Sequence, residues 1–382
     1  MSAPASAANA PAIAAIPVIP AIPSIAVPAR DFSPEARPLG YPDPDVISIQ
    51  PAFDRLMQRN TPLVRLWTGA LWAEGPAWNA SGRYLVWSDI PNNRQLRRLD
   101  EDGHVSTFRS PSNNSNGNTF DFEGRQISCE HLTRRLVRYE LDGSITILAT
   151  HYRAKRLNSP NDVIAHPDGS VWFTDPPYGA QLYEGTVDVP GGAANKSGRL
   201  NQRVGQPAEI GTDQRELPTN VYRLDKSGRL DIVIGEDDVR DPNGLCFSPD
   251  YKKLYVVSTG RGPGDLHEGG KGELFVFDVG ARNKLSRQKR FTDFMIDGVK
   301  CKPDGLRADV DGNLWCASAA GQRMDYSGVT VWSPAGDLLG RIRLPEGCAN
   351  VCFGGPKRNR LFMAASQSIY ALYTATQGAS PG

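Results

Sequence analysis

Six times along this chain a short strand, a tight turn and a second, more apolar strand follow one another: AWNASGRYLVWSD, TFDFEGRQISCEH, VIAHPDGSVWFTD, LCFSPDYKKLYVVS, LRADVDGNLWCAS and VCFGGPKRNRLFMAAS. A repeated unit constrains a fold more than local propensity does, because each unit must bury its apolar face on the next. A second kind of hairpin lies between them: LRRLDEDGHVSTF, LVRYELDGSITILA, VYRLDKSGRLDIVI, LFVFDVGARNKLSRQKRF and VTVWSPAGDLLGRIRL. Two hairpins per unit make a four-stranded sheet. Six such sheets predict an all-β, six-bladed β-propeller, in which radial packing leaves only short, protected edges. The last unit has one further strand, IYALYTA at 369–375. Its outermost strand is expected from PLVRLWT at 62–68, so that both ends of the chain close the ring. The 38 Gly and 30 Pro, scattered between short apolar runs, agree with a chain of many turns.

The register of the repeat singles out one position. Eight residues before the turn positions Gly82, Gly124, Gly169, Tyr251, Gly312 and Arg358 stand Glu74, Asn116, Asn161, Asn243, Asp304 and Asn350. Each blade thus carries a carboxylate or a carboxamide where its innermost strand begins, facing the central channel. Asn and Asp before Gly are also ordinary turn residues. Turn chemistry accounts poorly for Glu74, and for the absence of Ser, Thr or apolar residues at all six places.

Two carboxylates among carboxamide oxygens, without His or Cys, suit a hard divalent cation: Ca²⁺ first, with Mg²⁺ or Mn²⁺ possible. The five histidines form no paired zinc motif. A bound cation would polarise an ester or lactone carbonyl and lower the pKa of a water, leaving Asp304 to act as general base. There is no G-x-S-x-G elbow and no P-loop. A net charge of +1 and the lack of an aromatic-interleaved basic stripe argue against a nucleic-acid partner.

The motifs EGPAW (74–78), CEH (129–131), KRLNSPNDV (155–163), FTDPPYG (173–179), DPNGLCFSPD (241–250), PDGLRAD (303–309) and FGGPKRNRLFMAA (353–365) resemble the SMP-30/gluconolactonase/LRE-like family. The resemblance runs in order from about residue 60 to about 375, and is nearest to the bacterial gluconolactonase branch. It implies a six-bladed propeller with one divalent metal in its channel, held by Glu74, Asn161, Asn243 and Asp304, the last also being the general base. The implied function is a metal-dependent lactonase acting on a sugar-acid lactone, with D-glucono-1,5-lactone as the leading small-molecule substrate. Ca²⁺ is the expected ion, with Mg²⁺, Mn²⁺ or Zn²⁺ as alternatives. Two rival readings stay open: a metal-stabilised binding module without turnover, and a hydrolase of other esters or phosphoesters.

Asn116 and Asn350 are then expected to line the pocket and hold substrate hydroxyls. Asn118 adds a polar group in NGNTFD where many relatives have an apolar residue, and Glu130 and His131 end a strand of blade two. His131 reads either as a substrate contact or as a hydrogen-bonded strand-end residue. An insertion at 176–219 is a lid candidate with Tyr178 at its root.

Residues 1–45 form an Ala/Pro-rich extension, expected to be disordered or polyproline-like, and 46–382 a single propeller. The repeated prolines preclude a membrane span there, and no other segment approaches that length. A second reading, the remnant of an export signal's tail, leaves export open, so bacterial cytoplasm and periplasm are both compatible. The six cysteines (129, 246, 301, 316, 348 and 352) are expected as free, mostly buried thiols. Nothing in the sequence indicates an oligomeric state.

Overall fold

The computed structural model describes residues 30–179, 215–260, 269–321 and 323–379. Alternation of apolar and polar residues, cut by Gly-, Asp- and Asn-bearing turns, yields six antiparallel four-stranded blades. Blade 1 comprises Ala73–Asn79, Tyr84–Asp89, Arg94–Leu99 and Val105–Arg109. Blade 2 comprises Ser115–Phe120, Gln126–Glu130, Arg135–Tyr139 and Ile145–Ala149. Blade 3 is built from Val163–Ala165, Val171–Asp175, Asn220–Leu224 and Leu230–Ile234. Blade 4 takes Pro242–Phe247, Lys253–Ser258, Glu273–Val279 and Leu285–Thr292. Blade 5 takes Lys302–Ala308, Leu314–Ala319, Gly328–Trp332 and Leu338–Arg343.

Blade 6 follows the sheet order Val64–Thr68, Ser368–Tyr373, Arg360–Ala365, Cys348–Gly354. Its outermost strand therefore comes from upstream of blade 1, as the ring-closure argument requires, with Val64 opposite Ala371 and Thr68 opposite Ser368. The first strands of successive blades contact one another around the axis, which identifies them as the inner strands.

Five of the six blade interfaces are large apolar clusters. Blades 5 and 6 share Trp315, Val351 and Phe353; blades 4 and 5 share Tyr255, Leu306 and Cys316. Equivalent clusters join blades 6 and 1, 2 and 3, and 3 and 4. Blades 1 and 2 differ, for only a small group around Ala77, Val86 and Phe120 is apolar there. A buried polar network completes the joint: Gln95 Nε2 donates to Ser115 Oγ, Asn118 Oδ1 and Ser128 Oγ, and Gln126 Nε2 donates to Asn118 Oδ1. Such a network is tolerable in a core because its members satisfy one another.

The compact unit runs from Phe32 to Gly382, so it takes in residues 32–45, which the composition had grouped with the extension. The reason is specific anchoring. Asp43 Oδ2 accepts the Leu63 N–H at 2.7 Å, Asp45 pairs with Arg343 at 2.7 Å, and Phe32 meets Tyr370 edge-on. Val46–Ser48 then adds a fifth strand to blade 5. All six cysteines are free and buried. Among the described residues no helix is long and apolar enough to cross a membrane.

Candidate metal centre and channel

At five of the six ring positions the inner strand is irregular. Its register against the second strand shifts between Glu74 and Ala77, Ser115 and Asn118, Pro242 and Leu245, Pro303 and Leu306, and Cys348 and Asn350. A bulge re-aims the side chain it carries, and here that side chain is the carboxylate or carboxamide of the repeat. In four blades glycine follows it, and the packing explains why. A Cβ on Gly75 would stand 2.1 Å from Asn116 O, one on Gly117 2.3 Å from Asn161 O, and one on Gly244 2.3 Å from Asp304 O. A Cβ on Gly305 would strike the Asn350 side chain at 2.0 Å. Neighbouring inner strands thus touch backbone to backbone where the ring begins, and only glycine permits it.

These contacts draw the six residues together. The Asn350 carboxamide faces Glu74 and that of Asn243 faces Asp304, each favouring the ionised carboxylate, and Asn116 Nδ2 lies 3.2 Å from Asn161 Oδ1. All are buried except Asp304, which is partly exposed. Burial raises the Glu74 pKa to about 7, aided by the Asp162 carboxylate and opposed by the Gly75 N–H, Asn350 and Arg307. Asp304 is held well above the usual carboxylate range, first by burial and then by Glu74 and Asp162. Two buried oxygens, Asn116 Oδ1 and Asp304 Oδ1, have no hydrogen-bond partner among the described residues.

This donor set fits a hard cation. Among the described residues no three His, Cys, Asp or Glu side chains group as metal ligands. The ring instead offers carboxylates mixed with carboxamides, the oxygen-only chemistry that Ca²⁺ accepts. Charge agrees: with Glu74, Asp304 and Asp162 all ionised, their three negative charges would face the one positive charge of Arg307, and a divalent ion would neutralise the remainder.

Asp162 and Arg307 escaped the sequence argument. Arg307 Nη1 lies 3.4 Å from Asp162 Oδ2, and both side chains are buried. Asp162 occupies in blade 3 the place that Gly75, Gly117, Gly244 and Gly305 hold elsewhere. Comparing the repeat one residue beyond the ring would have flagged it.

The other expected contacts have varied settings. Asn118 is engaged in the blade 1–2 network, donating to Gly75 O, Ser88 Oγ and Asn116 O. Glu130 Oε2 accepts from Arg135, Thr133 and Asn113, so its described partners are all local to blade 2 and the loop that enters it. His131 is buried, with Nε2 3.3 Å from Asn116 Nδ2. Tyr178, in blade 3's exit loop, packs with Ile90 and Trp72 of blade 1. Its hydroxyl donates toward Gly260 O (3.2 Å) and Asp241 O beside blade 4. Blades 1 and 4 are opposite in a six-membered ring, so Tyr178 reaches across the channel mouth. Of the expected lid, residues 180–214 lie outside the described residues.

The chain is similar to known proteins over most of its length. A gluconolactonase from Zymomonas mobilis is 29% identical over 354 residues, covering 87% of each chain. A pentonolactonase from Haloferax volcanii is 25% identical over 77% of this chain and 81% of its own. The solved structure of a gluconolactonase from Xanthomonas campestris superposes with a TM-score of 0.69 at 32% identity, over 86% of this chain and 94% of that one. The profile of the SMP-30/Gluconolactonase/LRE-like region matches residues 72–367. The chain belongs to the SMP-30/gluconolactonase/LRE-like family.

Proposed function

We propose that this protein is a lactonase that opens a sugar-acid lactone, D-glucono-1,5-lactone being the leading candidate, with one divalent cation, Ca²⁺ first, in the channel. The observation that carries the reading is the pair of carboxylates, Glu74 buried and Asp304 partly so, set among carboxamides, with the buried Asp304 Oδ1 lacking a hydrogen-bond partner among the described residues. Similarity to gluconolactonases and a pentonolactonase supports the substrate class. Glu74, Asn161, Asn243 and Asp304 would hold the ion, which supplies charge to polarise the lactone carbonyl and acidify water. Asp304 accepts the proton of the attacking water at its free oxygen. The Asn350 and Asn243 side chains keep the two carboxylates oriented. Tyr178 narrows the mouth and limits bulk water at the reacting carbon.

The test is acid release from D-glucono-1,5-lactone in a pH-stat, using chelator-treated protein and then restoring Ca²⁺, Mg²⁺ or Mn²⁺. Spontaneous hydrolysis is subtracted at each ion concentration. Ion-restored turnover above background supports the lactonase. A cation-dependent rise in melting temperature with no turnover on any lactone would instead favour a binding module.

A further inference from the structure

The Asn116 carboxamide is held from two sides. Its Nδ2 lies 3.2 Å from Asn161 Oδ1 and 3.3 Å from His131 Nε2. Asn161 Oδ1 can only accept, so Asn116 must present its nitrogen there. That nitrogen has two hydrogens, and both are used when His131 Nε2 is the second acceptor. His131 suits the part: burial, with Arg134 assisting, pushes its pKa down to about 3, so the ring is neutral. Gly179 packs closely on the imidazole, for a Cβ there would stand 2.4 Å from His131 Cγ. Asn116 Oδ1 is left pointing away from both partners, buried and without a hydrogen bond among the described residues. A buried acceptor in that state is costly unless a ligand supplies the donor.

We propose that Asn116, oriented by His131 as a positioning residue, accepts a hydrogen bond from the lactone hydroxyl beside the carbonyl and so selects hydroxylated lactones over plain cyclic esters. The inference rests on the lactonase reading. Asn116 lies in the ring between Glu74 and Asn161, level with the groups assigned to the carbonyl, and the hydroxyl on the adjacent carbon is the one nearest to that oxygen. A hydroxyl has the hydrogen this oxygen needs, and an unsubstituted ring has none.

The experiment compares D-glucono-1,5-lactone with δ-valerolactone, the same ring without hydroxyls. Asn116→Leu is expected to lower the ratio of the two kcat/KM values about tenfold, the worth of one neutral hydrogen bond. His131→Leu should lower that ratio similarly and add little in the double variant. His131→Gln, whose carboxamide oxygen can still accept from Asn116, should restore most of it. A parallel fall for both lactones, or an unmoved ratio, overturns the proposal. Calorimetric binding of D-glucono-1,5-lactam against δ-valerolactam reads the same preference without turnover. If the wild type shows that preference, Asn116→Leu abolishes it and neither lactone is hydrolysed, the subsite stands and the lactonase reading falls. Hydrolysis with the preference intact in Asn116→Leu defeats the subsite alone. Circular dichroism checks each fold, and Asn116→Leu by itself decides should His131→Leu not fold.

Discussion

Asp162 and Arg307 meet across the channel, Oδ2 to Nη1 at 3.4 Å, the first just before the inner strand of blade 3 and the second within that of blade 5. Their side chains are 1% and 4% exposed, and Arg307 Nε and Nη2 have no hydrogen-bond partner among the described residues. A buried guanidinium in that position depends on its one close carboxylate. Asp162→Asn is therefore expected to destabilise the cation-free protein by about 3–5 kcal/mol, the usual cost of breaking a buried pair. Replacing both, Asp162→Gly with Arg307→Leu, should cost less than Asp162→Asn alone. Urea unfolding measures both, and an Asp162→Asn variant as stable as wild type would contradict the pairing.

The contact between Gly117 and Asn161 O makes a steric prediction. Gly117→Ala places a Cβ 2.3 Å from that carbonyl and 2.8 Å from Asp162 Cα, both backbone atoms that cannot swing aside. A loss of about 1–3 kcal/mol is expected, together with weaker cation binding as the ring is pushed open. Gly235→Ala is the control, since nothing lies within 4 Å of its added Cβ. Equal melting temperatures for the two variants would show that the inner strands are not packed this tightly.

Asp304→Asn keeps the size of the side chain and removes its basicity. Turnover of D-glucono-1,5-lactone should fall about 10²–10⁴-fold, the usual contribution of a general base, with the circular dichroism spectrum retained. Rates near wild type would assign the proton to another group.

The raised pKa values set the sign of a pH effect. Without the cation, Glu74 titrates at about 7 and Asp304 well above the carboxylate range, so protons compete with the ion for these oxygens. Ca²⁺ affinity should climb as pH rises through about 7 and fall away below it, with protons released on binding. Calorimetry in buffers of different ionisation enthalpy counts those protons. Glu74→Gln should release fewer and bind more weakly. An affinity that stays level across that range would mean that the carboxylates are already ionised.

Deletion of residues 1–45 is expected to lower the melting temperature relative to deletion of 1–31. The longer deletion removes the Asp43 cap on Leu63, the Asp45–Arg343 pair and the Phe32–Tyr370 contact. Identical melting curves would show that residues 32–45 add nothing to the propeller.

Much of the architecture was legible because a period-two strand pattern and its turns are local properties, repeated here often enough to be counted. The six hairpins, the closing strand at Val64–Thr68 and the ring from Glu74 to Asn350 follow from spacing alone. Residues 32–45 were misassigned because composition reports flexibility, whereas their anchors, Leu63 and Arg343, lie far along the chain. The same limit hid the Asp162–Arg307 pair, whose members are 145 residues apart. Asn118 and Asn116 are two residues apart and look alike in sequence. Only packing sends the first into a satisfied network between blades and leaves the second with a buried oxygen that has no hydrogen-bond partner among the described residues. The sequence by itself determined which residues, one per blade, begin the inner strands, because the repeat spacing is set within each hairpin. Tertiary structure decided their protonation, their partners and what they lack, because those depend on burial and on charges that other blades bring near.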